Sequence, residues 1–94
     1  MIRTFKSKET EKVWNGERSS KLPMEVQKVE RRKLRMLNNS INISDLRIPP
    51  ANRLKYVKWY FVEFHSIRIN DQWRIIFKWS HGHAFDVQII DYHK

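Results

Sequence analysis

The sequence predicts an α/β (α+β) domain in which two helices pack on one face of a twisted, mostly antiparallel sheet. Three observations predict it. Helix-like segments occupy the first half of the chain, strand-like alternation occupies the last third, and the length of 94 residues suits one domain, residues 1–94. A chain of this size buries roughly 60–65% of its unfolded surface, enough for one modest core. Four Trp, three Tyr and five Phe supply large side chains for it.

Residues 1–5 alternate apolar and polar side chains and read as a short strand. Ser7 then has the character of a helix N-cap. Glu9 and Glu11 follow in the first turn, where the helix dipole favours negative charge. Gly16 is placed to end that helix, and residues 17–21 form a polar link. Pro23 fits the first position of a second helix, with Glu25 in the same turn. Over residues 24–39 the stretch is long enough for a helix, with Val26, Val29, Met36 and Leu37 near one face. Lys28, Arg31, Arg32 and Arg35 crowd the rest, while Lys33 and Leu34 sit off the pattern. Residues 41–53 contain Pro49 and Pro50 and read as a connecting loop with little regular structure. Strands are expected from about Tyr60 onward.

The register of the strand block follows from its pattern. If Asn70, Asp71 and Gln72 form a three-residue loop, Ile69 faces Trp73, Ile67 faces Ile75 and His65 faces Phe77. Apolar side chains then gather on one face, and a one-residue slip would scatter them. Such loops often need a left-handed residue, which Asn and Asp tolerate. The same register sets Arg68 opposite Arg74 on the other face. Like charges in a cross-strand pair are destabilising, so an anion between them would relieve the pair. The competing reading is ordinary: Arg and Tyr are common on solvated sheet faces. After a five-residue turn around Gly82, Phe85, Val87 and Ile89 continue the core face. Asp86 then meets Lys78, and Tyr92 lands near Arg74.

Nineteen Lys and Arg against ten Asp and Glu leave a net charge of +9. A field that positive attracts polyanions, nucleic acid first and anionic membrane second. No window approaches the roughly 20 apolar residues of a membrane span, so no membrane partner is expected. Residues 1–12 lack the apolar run of a signal peptide. The absence of cysteine excludes disulfides and cysteine-based zinc sites and suits a cytoplasmic location. His81 and His83 flank Gly82, but with no third ligand nearby they read as a solvated turn rather than a metal site.

The segments "SIRINDQWRI", "FKW" and "DVQIIDYH" resemble the HigB toxins of the RelE-like toxin–antitoxin group. "LRIPPANRL" matches that family's characteristic loop, and "MIRTFKSKETEKVWNGERSSKLP" matches its start. The resemblance implies the RelE-like fold already read from the pattern. It also implies an mRNA endoribonuclease (mRNA interferase) that cuts in the ribosomal A site and inhibits translation, with no metal and no cofactor. The implied partners are a HigA-like antitoxin carrying a helix-turn-helix domain, the ribosome and mRNA, with operator DNA reached only through the antitoxin. Carried over onto this chain, the family's functional positions fall on Lys58, Arg68 or its neighbour Asn70, Arg74, Asp91, Tyr92 and His93. Some relatives carry Arg at the position of Asn70, which leaves open whether Arg68 takes that place. The family usually reads Lys-Gly-Asp after the Asn-Arg-Leu loop, where this chain has Lys58, Trp59 and Tyr60.

Metal-free RNA cleavage uses the 2′-hydroxyl beside the scissile phosphate. It needs a base, cations to steady the phosphorane, and an acid for the leaving 5′-oxygen. Arg68 and Arg74 suit the phosphate, because a guanidinium can bind two oxygens at once. His93 suits the base, with an unperturbed pKa of about 6.5. Tyr92 can stack or act as acid, Lys58 can share the phosphate, and Asp91 can orient His93. Arg31, Arg32 and Arg35, with Asn70, are the candidate RNA contacts outside the chemistry. Two other classes compete with the nuclease. One is a catalytically impaired RNA- or antitoxin-binding module of the same fold, and the other is a basic DNA-binding domain, for which no helix-turn-helix pattern is present.

Overall fold

Ser7 begins the first helix as its chemistry requires: its hydroxyl accepts a hydrogen bond from the Thr10 backbone N–H at 3.3 Å. In this computed structural model, which describes residues 1–59 and 62–92, α1 spans Lys8–Trp14 with Glu9 and Glu11 in its first turn. Gly16 follows the Asn15 cap at φ +82°, a conformation glycine adopts without cost. Helix α2 spans Met24–Asn39. Pro23 stands one residue earlier than the sequence suggests. Its ψ of 134° is extended, so it precedes the helix rather than opening it.

The buried face of α2 differs from the apolar stripe read in the sequence. Gln27, Glu30, Lys33, Leu34 and Leu37 face inward, while Val29 and Met36 pack only partly against the core. The off-pattern residues Lys33 and Leu34 are therefore interior. Apolar periodicity pointed to the neighbouring face, because polar residues with partners on other segments occupy much of the true one. Gln27 shows how: its amide donates to the carbonyls of Ser19 and Leu22 and accepts from the Ser19 N–H.

The segment read as an irregular loop forms two 3₁₀ turns, Ile43–Arg47 and Pro50–Asn52. The Asp45 carboxylate accepts from the Ile41 and Asn42 N–H groups, which hold its pKa below the usual range. Asn52 is fully buried. It donates to the Leu46 carbonyl at 3.1 Å and accepts a hydrogen bond from the Lys33 ammonium. That contact ties the turns to α2.

The strands run β1 (Lys55–Trp59), β2 (Val62–Arg68), β3 (Trp73–Ser80) and β4 (His83–Asp91), antiparallel and in that spatial order. Pairing thus starts at Lys55, earlier than the expected start near Tyr60. Residues 1–5 make only isolated parallel bridges, Ile2 to Ala84 and Phe5 to Val87. The β2–β3 register is the expected one: His65 pairs with Phe77, Ile67 with Ile75 and Arg68 with Arg74. No residue of this loop has a positive φ. Instead the Asn70 side-chain carbonyl accepts from the N–H groups of Gln72 and Trp73 and closes the turn.

The β3–β4 connection corrects the sequence reading. Ser80 pairs with His83, so only His81 and Gly82 form the turn, both at positive φ. That is tighter than the five residues expected. A bulge at Asp86, φ +52°, then shifts the register between Ile76 and Lys78. In consequence Ala84 is core, and Phe85 pairs with Lys78 on the other face. Beyond the bulge, Val87 and Ile89 return to the core as expected, and Asp86 meets Lys78 at 2.9 Å. The helix-facing side of the sheet buries Ile67, Ile75, Phe77 and Val87 against Val13, Leu34, Leu37 and Leu46.

Candidate functional site

The sheet face away from that core holds an open groove of about 430 Å³, lined by Arg53, Lys55, Arg68, Asn70, Asp71, Arg74 and Tyr92. The cations reach it from three places in the fold. Strand pairing brings Arg68 and Arg74 side by side. Lys55 starts β1 directly opposite Ser66. Arg53 caps the second 3₁₀ turn in a left-handed conformation, φ 45°.

Arg74 is the most constrained of them, only 4% exposed. Its Nε donates to Ser66 Oγ at 3.0 Å, and its Nη2 donates to the carbonyls of Arg53 at 2.7 Å and Ser66 at 3.4 Å. Among the described residues no hydrogen bond falls on Nη1. The Tyr92 ring centroid lies 5.5 Å from the guanidinium carbon, within cation–π range. Burial lowers the pKa of Arg74, Tyr92 opposes that effect, and Arg68 and Arg53 add to it. An arginine remains charged throughout such a shift.

Arg68 is partly exposed and pairs with Asp71, whose side chain is fully open to solvent. An ion pair of this kind contributes about 0–1 kcal/mol. Asp71 therefore eases the Arg68–Arg74 repulsion without neutralising the groove. The two arginines lie on one side of the sheet beside Tyr92, in a concavity where cations dominate. Guanidinium groups placed this way can bind an oxyanion through paired hydrogen bonds.

Residues 3–93 match the family described as the RelE-like toxin HigB of type II toxin–antitoxin systems. The chain belongs to the HigB-like toxins. It is 36% identical over 95 aligned positions to Toxin HigB-1 of Vibrio cholerae, covering 100% of this chain and 99% of that protein. It is 44% identical over 67 residues to an uncharacterized protein of Haemophilus influenzae, covering 71% of this chain. That second match spans 66% of the Haemophilus protein, a little under two thirds of its length. A toxin of a type II system has an antitoxin as its partner.

The other candidate residues of this HigB-like toxin are placed less centrally. Lys58 pairs with Glu63, and alternation along β1 sets it on the face opposite Lys55. It does not line the groove. Asp91 accepts from Gln72 Nε2 at 3.1 Å and stands beside the groove rather than in it. His93 lies outside the described residues. Arg31 donates to the Val13 carbonyl at 3.0 Å, which ties the end of α1 to α2. Arg32 and Arg35 are exposed and line a separate concavity with Lys28 and Val29.

Sequence reasoning missed Arg53, Lys55, Ser66 and Lys33. Arg53 lies within "LRIPPANRL", a segment whose sequence gives no sign that it reaches the groove. Lys33 announced itself only as an off-pattern residue. Its ammonium is buried against Asn52, and burial lowers its pKa, with Arg32 and Arg68 adding to the effect. His81 and His83 hydrogen-bond to Ser80 and Arg3 respectively. Among the described residues, no group of three His, Cys, Asp or Glu side chains is placed to hold a metal, and no helix is long and apolar enough to cross a membrane.

Proposed function

We propose that this toxin is a ribosome-dependent mRNA endoribonuclease that cleaves through the 2′-hydroxyl without a metal. The observation that carries the reading is the Arg68–Arg74 cross-strand pair in an open groove beside Tyr92. Arg74 is held by three hydrogen bonds to uncharged oxygens, so little reorganisation is needed when charge builds on the phosphorane. Arg68, Arg53 and Lys55 add positive potential around the same point. His93 is the base in this scheme, Tyr92 lies where it can stack or donate a proton, and Asp91 precedes both in the chain. General acid–base help contributes roughly 10²–10⁴-fold. In the cell the partners are a HigA-like antitoxin with a helix-turn-helix domain, operator DNA through that antitoxin, and the mRNA-loaded ribosome in the cytoplasm.

The test is induction of the chain alone in bacteria, with 5′ ends of transcripts mapped afterwards. The wild type is expected to arrest growth and leave cuts in translated mRNA. Arg74→Ala is expected to lower cleavage by roughly 10²–10³-fold, the typical cost of one preorganised donor. Antitoxin capture and a cooperative melt check that this variant still folds. Undiminished arrest by a folded Arg74→Ala protein sinks the assignment. The impaired-module reading draws on Lys58 lying off the groove, and a wild type that binds antitoxin but causes no arrest favours it.

A further inference from the structure

The two helices do not roof the sheet evenly. Both α1 and α2 pack against β4, while β2, toward the opposite edge, meets the second 3₁₀ turn. A cleft of about 170 Å³ remains on that side. Ile43, Ser44 and Arg47 line it from the first 3₁₀ turn, and Lys55, Tyr56 and His65 line it from the strands. Tyr56 pairs with His65 and His65 with the fully buried Phe77, so these side chains belong to the core face of the sheet. The arginine groove opens on the other face. Among the described residues the two concavities share only Lys55, the first residue of β1.

The cleft has the make-up of a contact surface. The His65 ring stacks on Phe77 with centroids 5.9 Å apart, and Tyr56 meets it edge-on at 5.4 Å. Tyr56 is 57% exposed, and a hydrogen bond to Glu63 raises its pKa and fixes its ring. Among the described residues the buried Nδ1 of His65 has no hydrogen-bond partner, although such a group inside a folded protein ordinarily has one. Ile41 and Ile48, each 76% exposed, bracket the 3₁₀ turn in the chain. Among the described residues the charged groups lining the cleft are Arg47 and Lys55, with no carboxylate. A rigid aromatic beside an arginine is the composition of interface hot spots.

We propose that this cleft is a docking site for an acidic segment of the antitoxin. One apolar side chain of that segment packs on Tyr56 and His65, and its carboxylates face Arg47 and Lys55. Charge selects this occupant. Two copies of a chain with net charge +9 repel each other, whereas the same field draws in an acidic partner. Size agrees: the volume is well below that of ordinary small-molecule pockets and suits a single side chain. The assignment stands apart from the nuclease reading, because it uses the other face of the sheet.

The experiment measures the affinity of the full-length toxin for its own purified antitoxin by calorimetry, at low and high salt. Ser44→Trp fills the cleft and Tyr56→Ala removes its aromatic wall. Each is expected to weaken binding roughly ten- to hundredfold, the effect of a central interface residue. Arg47→Glu is expected to weaken it by a similar factor at low salt and by less at high salt. Arg74→Ala is expected to bind antitoxin as the wild type does. Cooperative melts check folding, and Arg47→Glu, at an exposed position, serves if the other two variants do not fold. Wild-type affinity in every folded cleft variant overturns the proposal. Binding that falls in Tyr56→Ala but is indifferent to Arg47→Glu at both salts overturns the acidic partner. Affinity lost in Arg74→Ala and kept in Ser44→Trp moves the contact to the arginine groove and overturns the cleft. A toxin dimer, or binding of a single-stranded RNA oligomer, that disappears in Ser44→Trp while antitoxin affinity holds gives the cleft to a second copy or to RNA and overturns it as well.

Discussion

Glu30 is an unusual residue to find inside a small domain. It is fully buried, and among the described residues neither carboxylate oxygen has a hydrogen-bond partner. Burial pushes its pKa up from 4.5 to about 7. The folded state therefore holds a proton that the unfolded chain releases at lower pH. The resulting stability is complete below about pH 4.5 and is lost as the pH rises through about 7. The difference amounts to about 3 kcal/mol. The stability advantage of Glu30→Met over the wild type is expected to grow by that order between acid and alkaline pH. Thermal melts across the range check it. His65 shifts in the opposite sense: burial lowers its pKa, so its contribution is lost as pH falls. Subtracting the variant from the wild type isolates Glu30 from it. No reading of the sequence would have singled out this residue, because a glutamate in a basic amphipathic helix looks like any solvated one.

At the scale of elements, the Lys33–Asn52 contact matters more than any helix propensity. It fastens α2 to the 3₁₀ turn whose last residue leads into Arg53, and the Arg53 carbonyl in turn holds Arg74. Asn52→Ala strands a buried ammonium and frees the carbonyls of Leu46 and Ile48. Leaving buried groups unsatisfied costs about 1–3 kcal/mol each. The expected result is a loss of at least about 3 kcal/mol in denaturant unfolding, with weaker activity in the proposed mRNA cleavage from the remaining folded protein. A variant that matches the wild type in both measurements removes the link between helix and groove. The elements themselves were largely legible. Ser7 with its following glutamates marks a helix start by local chemistry, and the period-two pattern around Asn70 admits one register. Asp86 shows the opposite case. Nothing in alternation announces a bulge at a non-glycine residue, so alternation alone puts Phe85 in the core that Ala84 occupies.

For the whole molecule the net charge of +9 sets long-range behaviour, while the groove is where the proposed chemistry is placed. Arg32 and Arg35 belong to a concavity on α2 separate from the groove. Charge reversal of both is expected to weaken RNA binding at low salt and to flatten its salt dependence by about one counterion for each arginine that meets a phosphate. The single-turnover cleavage rate at saturating RNA is expected to hold. Cleavage that falls along with affinity would draw those arginines into the reaction itself. Charge alone had pointed to polyanions without naming a face. The face emerged from pairing Arg68 with Arg74, which needed only the strand period. Arg53 and Lys55 were out of reach of that argument, because a left-handed residue after a 3₁₀ turn brings them in, and no periodicity describes that path.

By itself the sequence determined the two helices, the central hairpin with its two facing arginines, the basic character of the chain and its likeness to the HigB toxins. Those features depend on residues close together in the chain, or on a repeat of two or 3.6 residues, and such order can be read along a line. Only the tertiary structure decided which face of α2 is buried, where β4 changes sides, and which further cations border Arg74. Each of those depends on partners far apart in sequence whose contacts are settled when the core closes.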